Sequence, residues 1–125
     1  MSVKTNISCI IVDDEAIARE VIATHLSKID NITIVASCSN AMQAFNLISS
    51  HKIDLVFLDI QMPVLTGMEL AKSLKNPPSI IFTTAYPEFA LESYDVSAID
   101  YLLKPIEFER FYQAVKKVLP KEANA

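Results

Sequence analysis

Two hydrophobic periods alternate along the chain. Residues 8 to 13 (SCIIVD) form an apolar run that ends in acid, and residues 15 to 29 then carry Ile17, Val21, Ile22, Leu26 and Ile29 at helical spacing, which predicts a strand followed by an amphipathic helix. Residues 32 to 37 (ITIVAS) predict a second strand, and Asn40 with Gln43 three residues later is a capping pair that opens a helix to about residue 50. The third apolar run, Leu55-Val56-Phe57-Leu58, suits a strand buried on both faces, and Asp59 closes it. Thr66-Gly67-Met68-Glu69 has capping-box spacing for a third helix, which Asn76-Pro77-Pro78 should end. Residues 79 to 83 (SIIFT) predict a fourth strand, Pro87 suits the first turn of a fourth helix to about residue 95, and residues 98 to 103 predict a fifth strand before Lys104-Pro105. In the last helix Phe108, Phe111, Tyr112, Val115, Val118 and Leu119 share one face and leave Glu109, Arg110, Gln113, Lys116 and Lys117 outside.

Five strands alternating with five helices through short connections predict one α/β domain, a doubly wound parallel sheet with right-handed crossovers and helices on both faces. The expected strand order is 2-1-3-4-5. It makes strands 1 and 3 neighbours whose following helices lie on opposite faces, so a crevice opens beyond their carboxyl ends. The polar residues at the strand ends then gather on one edge: Asp13 and Asp14 after strand 1, Asp59 after strand 3, Thr83 and Thr84 after strand 4, Lys104 after strand 5.

Composition narrows the choices without choosing among them. At 125 residues the chain suits a single domain, and its net charge of -4 with scattered Lys and Arg disfavours nucleic-acid binding by this chain alone. No apolar stretch is long enough to span a bilayer, and the opening MSVKTNIS lacks the apolar middle of a signal peptide, so the expected location is the cytoplasm. Cys9 and Cys38 have no metal-type spacing around them and read as reduced structural thiols. His25 and His51 read as surface residues without chemistry.

Three carboxylates at one edge repel. At an effective dielectric of about 20, two like charges ~4 Å apart cost ~4 kcal/mol, so the cluster calls for a cation or a raised pKa. Only oxygen ligands are on offer, which favours a hard divalent cation such as Mg²⁺. Lys104 adds a compact positive charge and Thr84 a hydroxyl, and this combination suits a phosphoryl group whose oxygens carry charge during transfer. Asp59 is then the candidate nucleophile of an aspartyl phosphate. Each residue has a plainer reading: Asp13-Asp14-Glu15 would suit a helix start, Lys104 a solvated surface, Gly67 a tight approach at a helix start, Tyr101 a half-buried strand aromatic. Thr83 competes with Thr84 for the hydroxyl role, since neighbours on a strand point oppositely.

VDDE at 12 to 15, LDIQMP at 58 to 63 with Gly67, TA at 84 to 85 and YLLKP at 101 to 105 together resemble a response-regulator receiver domain of two-component signalling. The resemblance spans residues 1 to 119 and implies a flavodoxin-like (CheY-like) fold, with the strand order above. It implies Asp59 as phosphoacceptor, Asp14 as a direct Mg²⁺ ligand, Asp13 as a ligand largely through water, and the backbone carbonyl of Gln61 as a further ligand. It also implies Thr84 as the switch hydroxyl, Lys104 as the phosphate-pairing cation after a cis bond to Pro105, and Tyr101 as the switch aromatic. Residues 84 to 106 (TAYPEFALESYDVSAIDYLLKPI) are similar more particularly to receivers of the LytTR class, in which a DNA-binding domain usually follows. Residues 120 to 125 read as a polar tail or linker stub. The implied activity is that of a phosphoacceptor rather than an enzyme proper, promoting its own Mg²⁺-dependent phosphorylation and dephosphorylation. The implied partners are a sensor histidine kinase and, after phosphorylation, a second copy met through the surface of helix 4, strand 5 and helix 5, with Phe89, Tyr94 and Tyr112 as candidates. Two alternatives stay open: a small Mg²⁺-dependent aspartyl-phosphate phosphatase, for which Gln61 stands where a second acid is expected, and a phosphorylation-independent pseudo-receiver.

Overall fold

The computed structural model describes residues 6–88 and 96–120. In chain order these form β1 (Ile7–Val12), α1 (Ala16–Leu26), β2 (Ile32–Cys38), α2 (Ala41–Ser50), β3 (Leu55–Asp59), α3 (Gly67–Ser73), β4 (Ser79–Thr84), β5 (Asp100–Leu103) and α4 (Phe108–Val115). All neighbouring strands pair in parallel, in the order β2-β1-β3-β4-β5. The helix expected over 87–95 lies, from residue 89 on, outside the described residues, together with Phe89 and Tyr94. The last expected helix is therefore α4.

The apolar runs become strands because both faces of the sheet are covered. On one face Ile10, Val12, Val56, Leu58, Ile80 and Phe82 pack against Ala41 and Ala44 of α2 and Met68, Leu70 and Ala71 of α3. On the other, Cys9, Ile11, Leu55, Phe57, Ile81 and Leu102 meet Ile22 and Leu26 of α1 and Phe111, Ala114 and Val115 of α4. Every residue of β3 is buried, which is why its sequence runs apolar without alternation. Burial of the Cys9 thiol in this core pushes it up to about 12, and burial also raises Cys38, so both stay thiols at neutral pH.

Local signals set the helix starts. Thr66 Oγ1 accepts the Glu69 N–H at 3.1 Å while Glu69 Oε1 accepts the Thr66 N–H at 2.9 Å, a complete capping box. At α2 only half of the expected pair forms on Asn40: its Oδ1 accepts the Gln43 N–H, but Gln43 Oε1 reaches one residue further back, to the Ser39 N–H. The helices also stop earlier than their patterns predict. α3 ends at Ser73, before the Asn76-Pro77-Pro78 breaker, and α4 at Val115, although Val118 and Leu119 still pack on the core from the turns that follow.

Three side chains lie where the apolar pattern did not place them. Ile17 is 76% exposed and Val21 is 37% exposed, because α1 meets the sheet through the narrow stripe of Ile22 and Leu26, and its first turns instead line a groove with Pro105 and Ile106. Tyr112 stacks on Phe108 with ring centroids 5.9 Å apart and lines a groove with Lys28 and Ile29. It thus sits on the α1 side of α4 rather than on the β5 surface expected for it.

Candidate functional site

Register builds the site. Val12 pairs with Leu58, Asp59 with Thr83, and Thr83 with Leu102, so Asp13, one step beyond Val12, aligns with Asp59. Paired residues of parallel strands point to the same face. Asp13, Asp59 and Thr83 accordingly stand side by side across the carboxyl ends of β1, β3 and β4, on the face covered by α1 and α4. Lys104, two residues beyond Leu102, returns to the same face. Its ammonium lies 2.8 Å from Asp13 Oδ2, 3.6 Å from Asp59 Oδ2 and 3.8 Å from Glu15 Oε1, and the Lys104–Pro105 bond is cis.

Asp13 and Asp59 are each held by a main-chain N–H two residues further on. Asp13 is wholly buried; its Oδ1 accepts the Glu15 N–H at 2.9 Å, and its carbonyl accepts from Arg19 Nη1 at 2.7 Å. Asp59 is 4% exposed, and its Oδ1 accepts the Gln61 N–H at 3.3 Å. Asp14 is exposed at the mouth. Gly67 is needed where it stands, because a Cβ there would fall on the Asp59 carbonyl, 2.8 Å from its carbon and 3.1 Å from Leu58 Cγ. The reason is space, not a left-handed backbone.

The electrostatics follow from burial and neighbours. Burial and the Asp13 charge push the Asp59 carboxyl up to about 7 against the pull of Lys104 and the Gln61 N–H, with Asp14 adding to the rise. Burial alone would lower the Lys104 ammonium, but the hydrogen bond to Asp13 and the charges of Asp59, Asp13 and Glu15 outweigh it and raise its pKa. Lys104 therefore carries a full positive charge at any pH the protein meets. One oxygen from each of Asp13, Asp14 and Asp59 lies within 4.8 Å of the others. An all-oxygen set of this spacing, two members of it buried and three carboxylates sharing one Lys104 ammonium, fits a hard divalent cation.

A pocket of about 320 Å³ opens over the cluster, lined by Asp14, Glu15, Asp59, Gln61, Thr84, Ala85, Tyr86 and Lys104. Thr84 is buried; its Oγ1 accepts the Tyr86 N–H at 3.2 Å, and its carbonyl accepts the Lys104 N–H at 2.7 Å. Tyr101 reaches over from β5, and its hydroxyl donates to the Tyr86 carbonyl at 2.8 Å. Every site residue expected from the sequence except Tyr101 thus borders one pocket or, for Asp13, lies directly beneath it. Tyr101 is joined to the pocket wall through Tyr86.

A family model described as response regulator receiver domain matches residues 9–116. This chain is a response-regulator receiver domain. An uncharacterised response regulatory protein of Shewanella oneidensis is 49% identical over 114 residues, 90% of this chain and 48% of that protein. The sensory transduction protein LytT of Bacillus anthracis is 40% identical over 111 residues, 86% of this chain and 45% of that protein, in keeping with the LytTR-class resemblance. Among solved structures, the response regulator protein TrrA of Thermotoga maritima, in complex with Mg(2+)-BeF, is 32% identical with a TM-score of 0.78, covering 90% of this chain and 98% of that one. The receiver spans about half the length of the curated relatives it matches. Among its described residues no helix is long and apolar enough to cross a membrane.

The sequence reading missed three features of the receiver. Asp100, at the start of β5, accepts from Arg110 Nη1 at 3.1 Å and Nη2 at 2.8 Å, from Lys117 Nζ at 2.8 Å, and from the Tyr101 N–H at 2.7 Å. Burial pushes this carboxyl up, but those four donors outweigh it and hold it well below the usual range. Arg110 also donates to the Tyr101 carbonyl at 3.2 Å, so both backbone groups of Tyr101 on this edge strand are satisfied by side chains. Opposite charges ten and seventeen residues apart in no common element gave no local signal of this. His25, expected on the surface, is half-buried: its Nε2 lies 2.8 Å from the Ile106 carbonyl and its ring packs against Phe108 and Phe111. Tertiary packing of α4 on α1 overrode its polar appearance. The third is Thr83, whose burial only the sheet register reveals.

Proposed function

We propose that this receiver is a phosphorylation-driven switch in which Asp59 accepts a phosphoryl group from the histidine of a sensor kinase. An Asp59 oxygen forms the new bond to phosphorus as the donor P–N bond breaks, and the departing imidazole keeps the electron pair. The observation that carries this reading is the buried Asp59 carboxylate, flanked by Asp13 and Lys104 in a small pocket that brings three carboxylates together. Asp13, Asp14, Asp59 and the Gln61 carbonyl would hold Mg²⁺, which supplies positive charge against the phosphoryl oxygens when bound. The Mg(2+)-BeF complex of the Thermotoga relative supports the same assignment, beryllofluoride standing in for a phosphoryl group.

Lys104 pairs with the transferred oxygens, for which it must loosen its 2.8 Å bond to Asp13. Thr84 leaves the Tyr86 N–H to hydrogen-bond a phosphoryl oxygen, and this bond exists in only one of the two states, which is what a population shift requires. Tyr101 then gives up the Tyr86 carbonyl and turns inward. The surface that changes includes β5, the Arg110 side of α4 and Lys117 in the turn after it. It mediates homodimerisation and passes the signal to transcription control through a DNA-binding domain, in keeping with the greater length of the relatives.

Incubation with Mg²⁺ and acetyl phosphate, read by intact mass, tests the central step. One phosphoryl adduct is expected, lost on Asp59→Asn and in EDTA; an adduct that survives the substitution would place the chemistry elsewhere. Sedimentation of the phosphorylated protein at micromolar concentration should show a rise in mass, and an unchanged mass would remove dimerisation from the reading.

A further inference from the structure

Thr83 is an oddity in the middle of a packed core. Its side chain is completely buried, and its Oγ1 has no hydrogen-bond partner among the described residues. It stands on the face of the sheet where Ile81 precedes it on its own strand and Leu102 adjoins it on β5. A valine of the same shape would fill that space without leaving a hydroxyl dry, and a buried unsatisfied hydroxyl is among the more costly groups a core can hold. The one polar neighbour in its row is Asp59, its direct register partner on β3. Asp59 thus stands between Asp13 on one side and Thr83 on the other.

In the structure described neither carboxylate oxygen of Asp59 is hydrogen-bonded to the Thr83 hydroxyl. Oδ1 accepts from the Gln61 N–H and Oδ2 lies toward Lys104. Phosphoryl transfer breaks this symmetry of use. One Asp59 oxygen becomes the bridge to phosphorus, and the other becomes an acyl carbonyl that no longer shares the negative charge that drew it to Lys104. Lys104 is then recruited by the phosphoryl oxygens. The carbonyl can accept a donor, and the Thr83 hydroxyl, on the register partner of Asp59, has no other partner to give up.

We infer that Thr83 is a positioning residue for Asp59, its hydroxyl donating a hydrogen bond to the acyl carbonyl of the phosphorylated side chain and so fixing the orientation of the acyl phosphate. The inference rests on Asp59 being the phosphoacceptor. It assigns the two threonines of β4 different oxygens: Thr84 serves the phosphoryl group, and Thr83 serves the carboxyl that carries it. The hydroxyl is unpartnered at rest and partnered after transfer, so it favours the phosphorylated state.

The test compares wild type, Thr83→Val and Thr83→Ser, each phosphorylated with acetyl phosphate and Mg²⁺ and followed by intact mass after the donor is removed. Loss of one hydrogen bond made only in the phosphorylated state should shorten its lifetime by about 3- to 10-fold in Thr83→Val, with Thr83→Ser restoring it to within about twofold of wild type. Urea unfolding of the unphosphorylated proteins should show Thr83→Val at least as stable as wild type. Thr83→Ala supplies a second hydroxyl-free variant if the valine protein does not fold. Wild-type lifetimes in Thr83→Val would overturn the inference and leave Thr83 a plain core residue. Equal shortening in the valine and serine proteins would overturn it too, because serine keeps the hydroxyl, and would point to packing at this position instead. A wild type that takes no phosphoryl group on Asp59 would overturn the phosphoacceptor reading itself, and this inference with it.

Discussion

Replacing Asp59 with Asn should make the metal-free protein more stable, and increasingly so as the pH rises. In the native state the Asp59 carboxyl is pushed from the usual 3.8 up to about 7 by burial and by Asp13, so the folded protein keeps this proton over a range where the unfolded chain has lost it. Stability is then full below about pH 4, falls as the pH climbs toward 7, and levels off above that. A shift of this size is worth at most about 4 kcal/mol at roughly 1.4 kcal/mol per pH unit. Water and ions reach the pocket mouth, so about 1–3 kcal/mol is the expected difference in a urea titration at pH 8 in EDTA. Asn keeps the shape and the acceptor for the Gln61 N–H, and Lys104 keeps Asp13 at 2.8 Å. At pH 4 the two proteins should unfold together. Added Mg²⁺ should narrow the gap at pH 8 by stabilising the wild type, since binding to the native state alone adds to its stability. A mutant no more stable than wild type at pH 8 in EDTA, or a difference independent of pH, would refute the electrostatic account of the site.

Three further outcomes are expected. Val64 follows Pro63 with φ 71, a left-handed backbone that a β-branched residue resists, and its side chain is fully exposed; Val64→Asn should therefore raise stability by about 1 kcal/mol, and an unmoved urea midpoint would show the loop relaxes without cost. Asp100→Asn should lower stability by about 1 kcal/mol at pH 7, a modest figure because Arg110 and Lys117 are half exposed. The depressed Asp100 carboxyl contributes above about pH 4 and loses that contribution as the pH falls below it, so the mutant and wild type should converge in acid; a gap that persists there would assign the effect to packing. Tyr86 is half exposed on the pocket wall, beside the expected path of attacking water, and Tyr86→Ala should speed hydrolysis of the phosphorylated protein; an unchanged rate would remove its shielding role.

What the sequence determined alone was everything that depends on near neighbours in the chain. An apolar run four residues long followed by Asp59 reads as a buried strand ending in a functional acid because strand burial is written into consecutive residues. Thr66 and Glu69 specify their helix start because both arms of the box lie within one turn. The alternation of periods fixed the class, and the class fixed which edge would gather Asp13, Asp59 and Lys104. Tertiary structure decided what depends on how distant segments meet. Sheet register, not spacing along the chain, put Thr83 beside Asp59 on the side opposite Asp13. Docking of α4 and the turn after it against β5 brought Arg110 and Lys117 onto Asp100, and docking of α4 against α1 buried half of His25. The same packing left Ile17 outside although its spacing matched that of the buried residues, because a helix meets a sheet along a stripe whose width is set by the partner and not by the helix. Gly67 shows both at once: the sequence marked a close approach, and only the folded chain showed that the Asp59 carbonyl is what approaches.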